Sequence, residues 1–61
     1  MKKVVKNGIS LTNALNFIEK SDWEIDEIRQ KKSEPNITYY YKQNKKVGCY
    51  NGNEHSLYKF I

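Results

Sequence analysis

Apolar residues recur at helical spacing near the start of the chain, at Leu11, Ala14, Leu15 and Ile18. Ser10 directly precedes them, and a serine hydroxyl at this position can accept a hydrogen bond from a backbone N–H group of the first helical turn. The pattern therefore predicts an amphipathic helix that begins after Ser10 and ends near Lys20 or Ser21.

A β-branched and aromatic run at residues 37–41 predicts a central strand. Because side chains alternate between the two faces of a strand, the first, third and fifth residues of this run are assigned to the core. Tyr40 is then assigned to the outer surface, together with Thr38 and Lys42.

Residues 21–32 fit two interpretations. The alternation of apolar and polar residues favours a strand over residues 23–30, whereas the spacing of Ile18, Ile25 and Ile28 also fits a longer helix. We favour the strand, because a helix that ends near residue 20 lets the chain return and pair with the tyrosine run.

Shorter patterns predict further strands at residues 3–6, 47–50 and 57–61, with the first and last of these at sheet edges. The sequence as a whole predicts one α+β domain over residues 1–61. Its expected architecture is one amphipathic helix packed on a three- or four-stranded, mainly antiparallel sheet, in the order β-α-β-β-β.

The register of the hairpin after the tyrosine run determines which tyrosines are exposed. A two-residue loop at Asn44 and Lys45 places Cys49 on the face of Tyr40, and one more loop residue places Tyr50 there instead. The sequence does not choose between these registers. In both, the outer face carries at least one tyrosine beside a lysine.

Size and composition limit the chemistry that 61 residues can support. One cysteine and one histidine form neither an internal disulfide nor a four-ligand zinc site, and the acidic residues lack the spacing of a calcium loop, so no metal or other cofactor is expected. The N-terminal residues lack the apolar region of a signal peptide, and no run approaches membrane-spanning length. We therefore expect a cytoplasmic protein with no membrane association.

The chain carries a net charge of +4, and Arg29 is the only arginine among its 11 basic residues. Arginine makes the stronger bidentate contacts with phosphate and guanine, so the charge by itself is a weak indication of nucleic-acid binding. The abundance of Lys, Asn, Ile and Tyr is typical of AT-rich coding. It suggests a low-GC bacterium, or its phages and mobile elements, as the source.

Two clusters are candidate binding surfaces. The first is an aromatic and basic sheet face, assigned to Tyr40, Lys42, Lys45, Lys46, Tyr50, Tyr58 and Lys59. The second, the acidic cluster, holds five of the seven acidic residues within nine positions: Glu19, Asp22, Glu24, Asp26 and Glu27. Separate acidic and basic surfaces suit a protein partner of complementary charge better than a nucleic acid that wraps the chain.

No catalytic residue is assigned. Cys49 and His55 could approach one another across a turn, but a buried thiol and a surface histidine explain them better in a domain with little room for a substrate pocket. We expect a non-enzymatic protein-binding module, an inhibitor from a phage or mobile element that occupies a surface of a larger host complex such as a nuclease or polymerase.

The alternative function is sequence-tolerant binding of single-stranded RNA or DNA on the tyrosine face. Homodimerisation is a further expectation about partners. It rests on a small core and on a predicted edge strand that ends in Phe60 and Ile61.

Overall fold

The computed structural model describes residues 1–61 and shows an α+β protein with one helix and one five-stranded antiparallel sheet. Its elements in chain order are β1 (Lys2–Asn7), α1 (Leu11–Lys20), β2 (Glu27–Gln30), β3 (Ile37–Lys42), β4 (Lys45–Asn51) and β5 (Ser56–Phe60). The prediction of three or four strands falls short of these five, because the short first strand and the last strand both join the same sheet. No helix is both long enough and apolar enough to cross a membrane.

The strands lie side by side in the order β1-β5-β4-β3-β2. The tyrosine strand β3 is therefore interior, although β4 occupies the middle of the sheet. The prediction that β5 is an edge strand is wrong, since β1 pairs along it and the N–H of Ile61 donates to the carbonyl of Met1 at 3.0 Å. This pairing removes the basis for a homodimer formed through Phe60 and Ile61, and it leaves β1 and β2 as the edges.

Helix α1 begins and ends within the predicted limits. The Ser10 hydroxyl caps the first turn by accepting from the N–H of Asn13 at 3.2 Å, and Ser21 caps the last by donating from its hydroxyl to the carbonyl of Ile18 at 2.8 Å. Ala14 and Ile18 are buried against the sheet. The interpretation of residues 21–32 as non-helical is confirmed, but β2 starts only at Glu27.

The β3–β4 hairpin turns at Gln43 and Asn44, one residue earlier than predicted. Both have positive φ angles, 51° and 64°, as the primed turns that suit hairpins require. Lys42 therefore pairs with Lys45, but a β-bulge at Val47 then shifts the register.

After the bulge, Tyr40 lies opposite Gly48, Tyr39 opposite Cys49, and Thr38 opposite Tyr50. Because residues opposite one another share a face, Tyr50 joins Tyr40 and Cys49 joins Tyr39. The two-residue loop at Asn44 and Lys45 predicted the reverse. The bulge, which adds one residue to β4, accounts for this difference.

The two faces of the sheet have different surroundings. Helix α1 covers one, the helix face, where the buried core consists of Ile9, Ala14, Ile18, Tyr40, Tyr50 and Leu57. The other, the open face, has no helix or strand packed on it and carries Tyr39, Tyr41, Cys49 and Tyr58. The candidate binding surfaces described below lie on these two faces.

Candidate functional site

The two faces of the tyrosine strand β3 are the reverse of those predicted: the residues assigned to the surface lie on the covered helix face. Tyr40, assigned to the surface, has 0% of its surface exposed and packs on the helix face with Trp23 edge-on at 6.3 Å between ring centroids. Thr38 is buried beside it. Burial raises the pKa of Tyr40 to about 12, so the phenol stays neutral, and its hydroxyl has no hydrogen-bond partner within the protein.

Tyr50 is also unavailable as a binding residue. It is buried, and its hydroxyl donates to the carbonyl of Ile9 at 2.6 Å, which fixes the segment between β1 and α1 to the sheet. Tyr40 and Tyr50 thus belong to the core, and the predicted binding surface is wrong at both positions. The cause is the bulge in β4 together with the choice of covered face.

The remaining residues of the predicted basic surface are divided between the two faces. On the helix face, Lys42 forms an ion pair with Glu24, and the Lys59 ammonium lies over the Trp23 ring at 5.6 Å from its centroid. Lys46 and Tyr58 belong to the open face, and Lys45 is exposed beside the hairpin turn. No single surface unites the predicted set.

The open face carries three tyrosines, each with a cation above its ring. Arg29 lies 4.3 Å from the Tyr41 centroid, Lys46 lies 4.2 Å from that of Tyr39, and Lys2 lies 4.3 Å from that of Tyr58. Lys31 approaches Tyr39 as well, at 5.5 Å. Arg29 and Lys2 are not among the residues predicted for the binding surface, although both lie on strands next to the predicted aromatic strands.

Carboxylates hold two of these tyrosine hydroxyls. Tyr39 donates to Glu34 at 3.1 Å, and Tyr58 donates to Glu54 at 2.5 Å. Partial burial, followed by the bond to Glu34, raises the pKa of Tyr39, and the bond to Glu54 raises that of Tyr58. Both phenol groups are therefore neutral at physiological pH, and their hydrogen bonds to the carboxylates fix the positions of the rings.

Cys49 and His55 do not come together as a nucleophile and base. Cys49 is buried between Tyr39 and Tyr58 in register, whereas His55 is an exposed turn residue beyond the end of β4. Burial raises the pKa of the Cys49 thiol, which disfavours the reactive thiolate. Cys49 is therefore a small buried side chain of the sheet and not an activated nucleophile.

The acidic cluster borders a groove between α1 and β2, here called the α1–β2 groove. Its volume is about 600 Å³. Its floor is apolar and consists of Leu15, Ile18, Trp23, Ile25 and Ile28. Four members of the acidic cluster stand around it, namely Glu19, Glu24, Asp26 and Glu27, and Asp22 lies in the same connecting segment.

Local hydrogen bonds shape the walls of this groove. The Ser21 hydroxyl accepts from the N–H of Trp23 at 3.1 Å, which turns the chain at the end of α1 and directs the indole onto the sheet over Gly48. Asp26 then donates its N–H to the carbonyl of Tyr41 at 3.0 Å, and its carboxylate accepts from the N–H of Gln43 at 2.9 Å. These contacts anchor the start of β2.

Only part of the negative charge around the groove is neutralised. Glu27 accepts two hydrogen bonds from Arg29, at 2.5 and 3.0 Å, and these bonds lower the pKa of the Glu27 carboxyl. Glu24 pairs with Lys42. Glu19, Asp22 and Asp26 form no ion pair, so the groove keeps a net negative character.

Strand β2 gives the groove a second binding feature. It pairs with β3 on one side only, and all four of its residues are exposed. Ile28, 51% exposed, projects from this edge into the groove lining. The acidic cluster is visible in the sequence, whereas the only sequence signal for Ile28 is an isolated apolar residue within an otherwise polar strand.

Comparison of the chain with protein-family models, with curated proteins and with solved structures finds no significant match.

Proposed function

We propose that the chain is a non-enzymatic protein-binding module, and that the α1–β2 groove receives a basic, extended segment of a larger partner. The observation that carries this proposal is the combination of an apolar floor, an acidic border and an unpaired strand edge at one place. The apolar floor would contact apolar side chains of the ligand, the acidic border would contact its cationic side chains, and the strand edge would pair with its backbone.

The unpaired edge of β2 supports an extended ligand. A peptide that lies along an exposed strand gains main-chain hydrogen bonds, and its alternate side chains then point to the same side. Along β2 the side of Ile28 is the apolar floor, and the opposite side carries Glu27, which together with the acidic border complements lysine or arginine. A segment that alternates apolar and basic residues therefore fits best.

The charge of the groove suggests the class of partner. Nucleases and polymerases carry basic surfaces that hold phosphates, and an acidic groove can bind such surfaces by complementary charge. The AT-rich coding bias of the chain fits a phage or mobile element in a low-GC bacterium. The proposed role is that of an inhibitor which acts in the cytoplasm by occupying the surface of a host complex of this kind.

The fluorescence of Trp23 can report peptide binding, because this residue is the only tryptophan and lines the groove. Titration with a synthetic peptide of alternating lysine and valine should give a saturable change in tryptophan emission. The Ile28→Lys variant should bind this peptide about tenfold more weakly, since it removes the apolar contact and adds a like charge. An otherwise identical peptide with glutamate in place of lysine should not bind.

Val4→Lys is the matched control for this titration. Val4 is an exposed apolar residue of the opposite edge strand, 45% exposed, and the substitution makes the same change in charge. Equal loss of peptide affinity in both variants would rule out the groove as the binding site. So would equal binding of the lysine and glutamate peptides.

A further inference from the structure

We propose that the open face is a second binding site, for single-stranded nucleic acid, with Tyr39 and Tyr58 as stacking platforms. Bases would lie on these two rings, and the phosphates would contact Lys2 and Lys46. The proposal does not depend on the groove, which opens on the other side of the sheet.

The spacing of the two rings suits successive bases of an unpaired strand. Tyr39, Cys49 and Tyr58 are neighbours in register on three adjacent strands. With strands about 4.8 Å apart, Tyr39 and Tyr58 are separated by about 10 Å at the backbone. The small side chain of Cys49 lies between them on the same face, and both tyrosines are partly exposed. Sheets that bind RNA stack about two or three bases on aromatic residues in such an arrangement.

The cations above the rings mark this surface as suited to a polyanion. Lys46 and Lys2 lie within 4.3 Å of the ring centroids of Tyr39 and Tyr58. Stacking of a base on a tyrosine ring is stronger than a cation–π contact at an exposed site. A base can therefore displace the ammonium group, which remains close enough to pair with the neighbouring phosphate.

The charges of the open face favour nucleic acid over a basic protein segment of the kind proposed for the groove. Four cations surround the tyrosines, Lys2, Arg29, Lys31 and Lys46, against three carboxylates. Each of those carboxylates is already engaged, Glu34 and Glu54 by tyrosine hydroxyls and Glu27 by Arg29. Glu19 and Asp26, which form no ion pair, line the groove instead.

Tyrosine platforms select unpaired bases, because bases within a duplex are stacked on each other and cannot reach the rings. Nothing in the arrangement reads base edges in a fixed pattern. The expected ligand is therefore a single strand of RNA or DNA with little sequence preference, bound with a strong dependence on salt.

Fluorescence anisotropy with a labelled oligothymidine at low salt tests this inference. Binding should be saturable, should weaken steeply as salt is raised, and should exceed binding to a duplex of the same length. Tyr58→Leu and Tyr39→Leu should each weaken it about tenfold, whereas Tyr58→Phe, which keeps the ring, should bind as the wild type does.

Two lysine variants keep the test informative even where a tyrosine variant loses stability. Lys46→Ala should weaken binding severalfold, and Lys20→Ala, at the end of α1 away from the open face, should not. No saturable binding at low salt would overturn the proposal and leave the open face to a protein partner. Equal losses in Lys46→Ala and Lys20→Ala would also overturn it, since they would show a diffuse charge effect.

Discussion

Tyr40→Ala is expected to leave the protein largely unfolded, although sequence alone assigns this residue to the surface. Truncation of a fully buried aromatic side chain costs about 3–5 kcal/mol, and the single core of a chain of 61 residues rarely supplies more than about 3–5 kcal/mol. Urea denaturation followed by circular dichroism measures the loss. Tyr39→Ala, on the open face of the same strand, is the control and should remain folded.

Replacement of tyrosine by phenylalanine separates the two buried tyrosines. Tyr40→Phe should be as stable as the wild type or more stable, because the hydroxyl it removes is buried without a protein partner. Tyr50→Phe should lose about 1–2 kcal/mol, since the carbonyl of Ile9 is then left without the donor that reaches it at 2.6 Å. Equal losses in both variants would contradict the register and burial described above.

Gly48→Ala is expected to cause the second large loss of stability. A Cβ atom at this position would lie 2.6 Å from the carbonyl oxygen of Tyr58 and 2.7 Å from Cη2 of Trp23. Overpacking of this kind costs about 1–3 kcal/mol, which corresponds to a fall in melting temperature of the order of 10 °C in a domain of this size. Thermal denaturation followed by circular dichroism measures this fall.

Gly8→Ala distinguishes this steric effect from backbone strain. Gly8 has a φ of +63°, but an added Cβ would meet nothing within 4 Å, so only the strain of about 1 kcal/mol is expected. If Gly48→Ala melts at the temperature of the wild type, Trp23 does not pack on β4 as described. The groove floor depends on that packing, so Gly48→Ala should also weaken binding of the lysine–valine peptide.

The helix could be predicted from the sequence because its signals are local. The cap at Ser10 and the apolar spacing from Leu11 to Ile18 lie within a few residues of one another, and the start of α1 follows from them, whereas its end at Lys20 depended on the choice of a strand for the residues that follow. The strands could be located for the same reason, through runs of β-branched and aromatic residues. Their order in the sheet depends on contacts between distant segments, as the pairing of β1 with β5 illustrates.

The face on which each side chain of the sheet lies could not be predicted, because a shift of one residue in strand pairing moves every side chain of a strand to the opposite face. The turn at Gln43 and Asn44 and the extra residue Val47 together place Tyr50 on the same face as Tyr40, and α1 covers that face. A β-bulge has no distinct sequence signature here, since Val47 resembles any other strand residue. The predicted binding surface therefore included two core residues and missed Tyr39, Arg29 and Lys2.

The α1–β2 groove could be predicted from the sequence only in part. The acidic cluster is visible in the sequence, but the apolar floor combines α1 residues such as Leu15 and Ile18 with Ile28 of β2. Only the tertiary structure brings them together. Charge density in a sequence thus indicates where a surface lies along the chain, while the apolar component that makes it a groove comes from elements distant in sequence.

An NMR titration of the isotope-labelled chain with the lysine–valine peptide tests the central claim, that the α1–β2 groove is a protein-binding site, most directly. The largest shifts are predicted at the backbone amides of Glu19, Trp23 and Ile28, and those of Cys49 and Tyr58 should stay in place. Shifts confined to the open face, or small shifts spread over the whole chain, would contradict this claim.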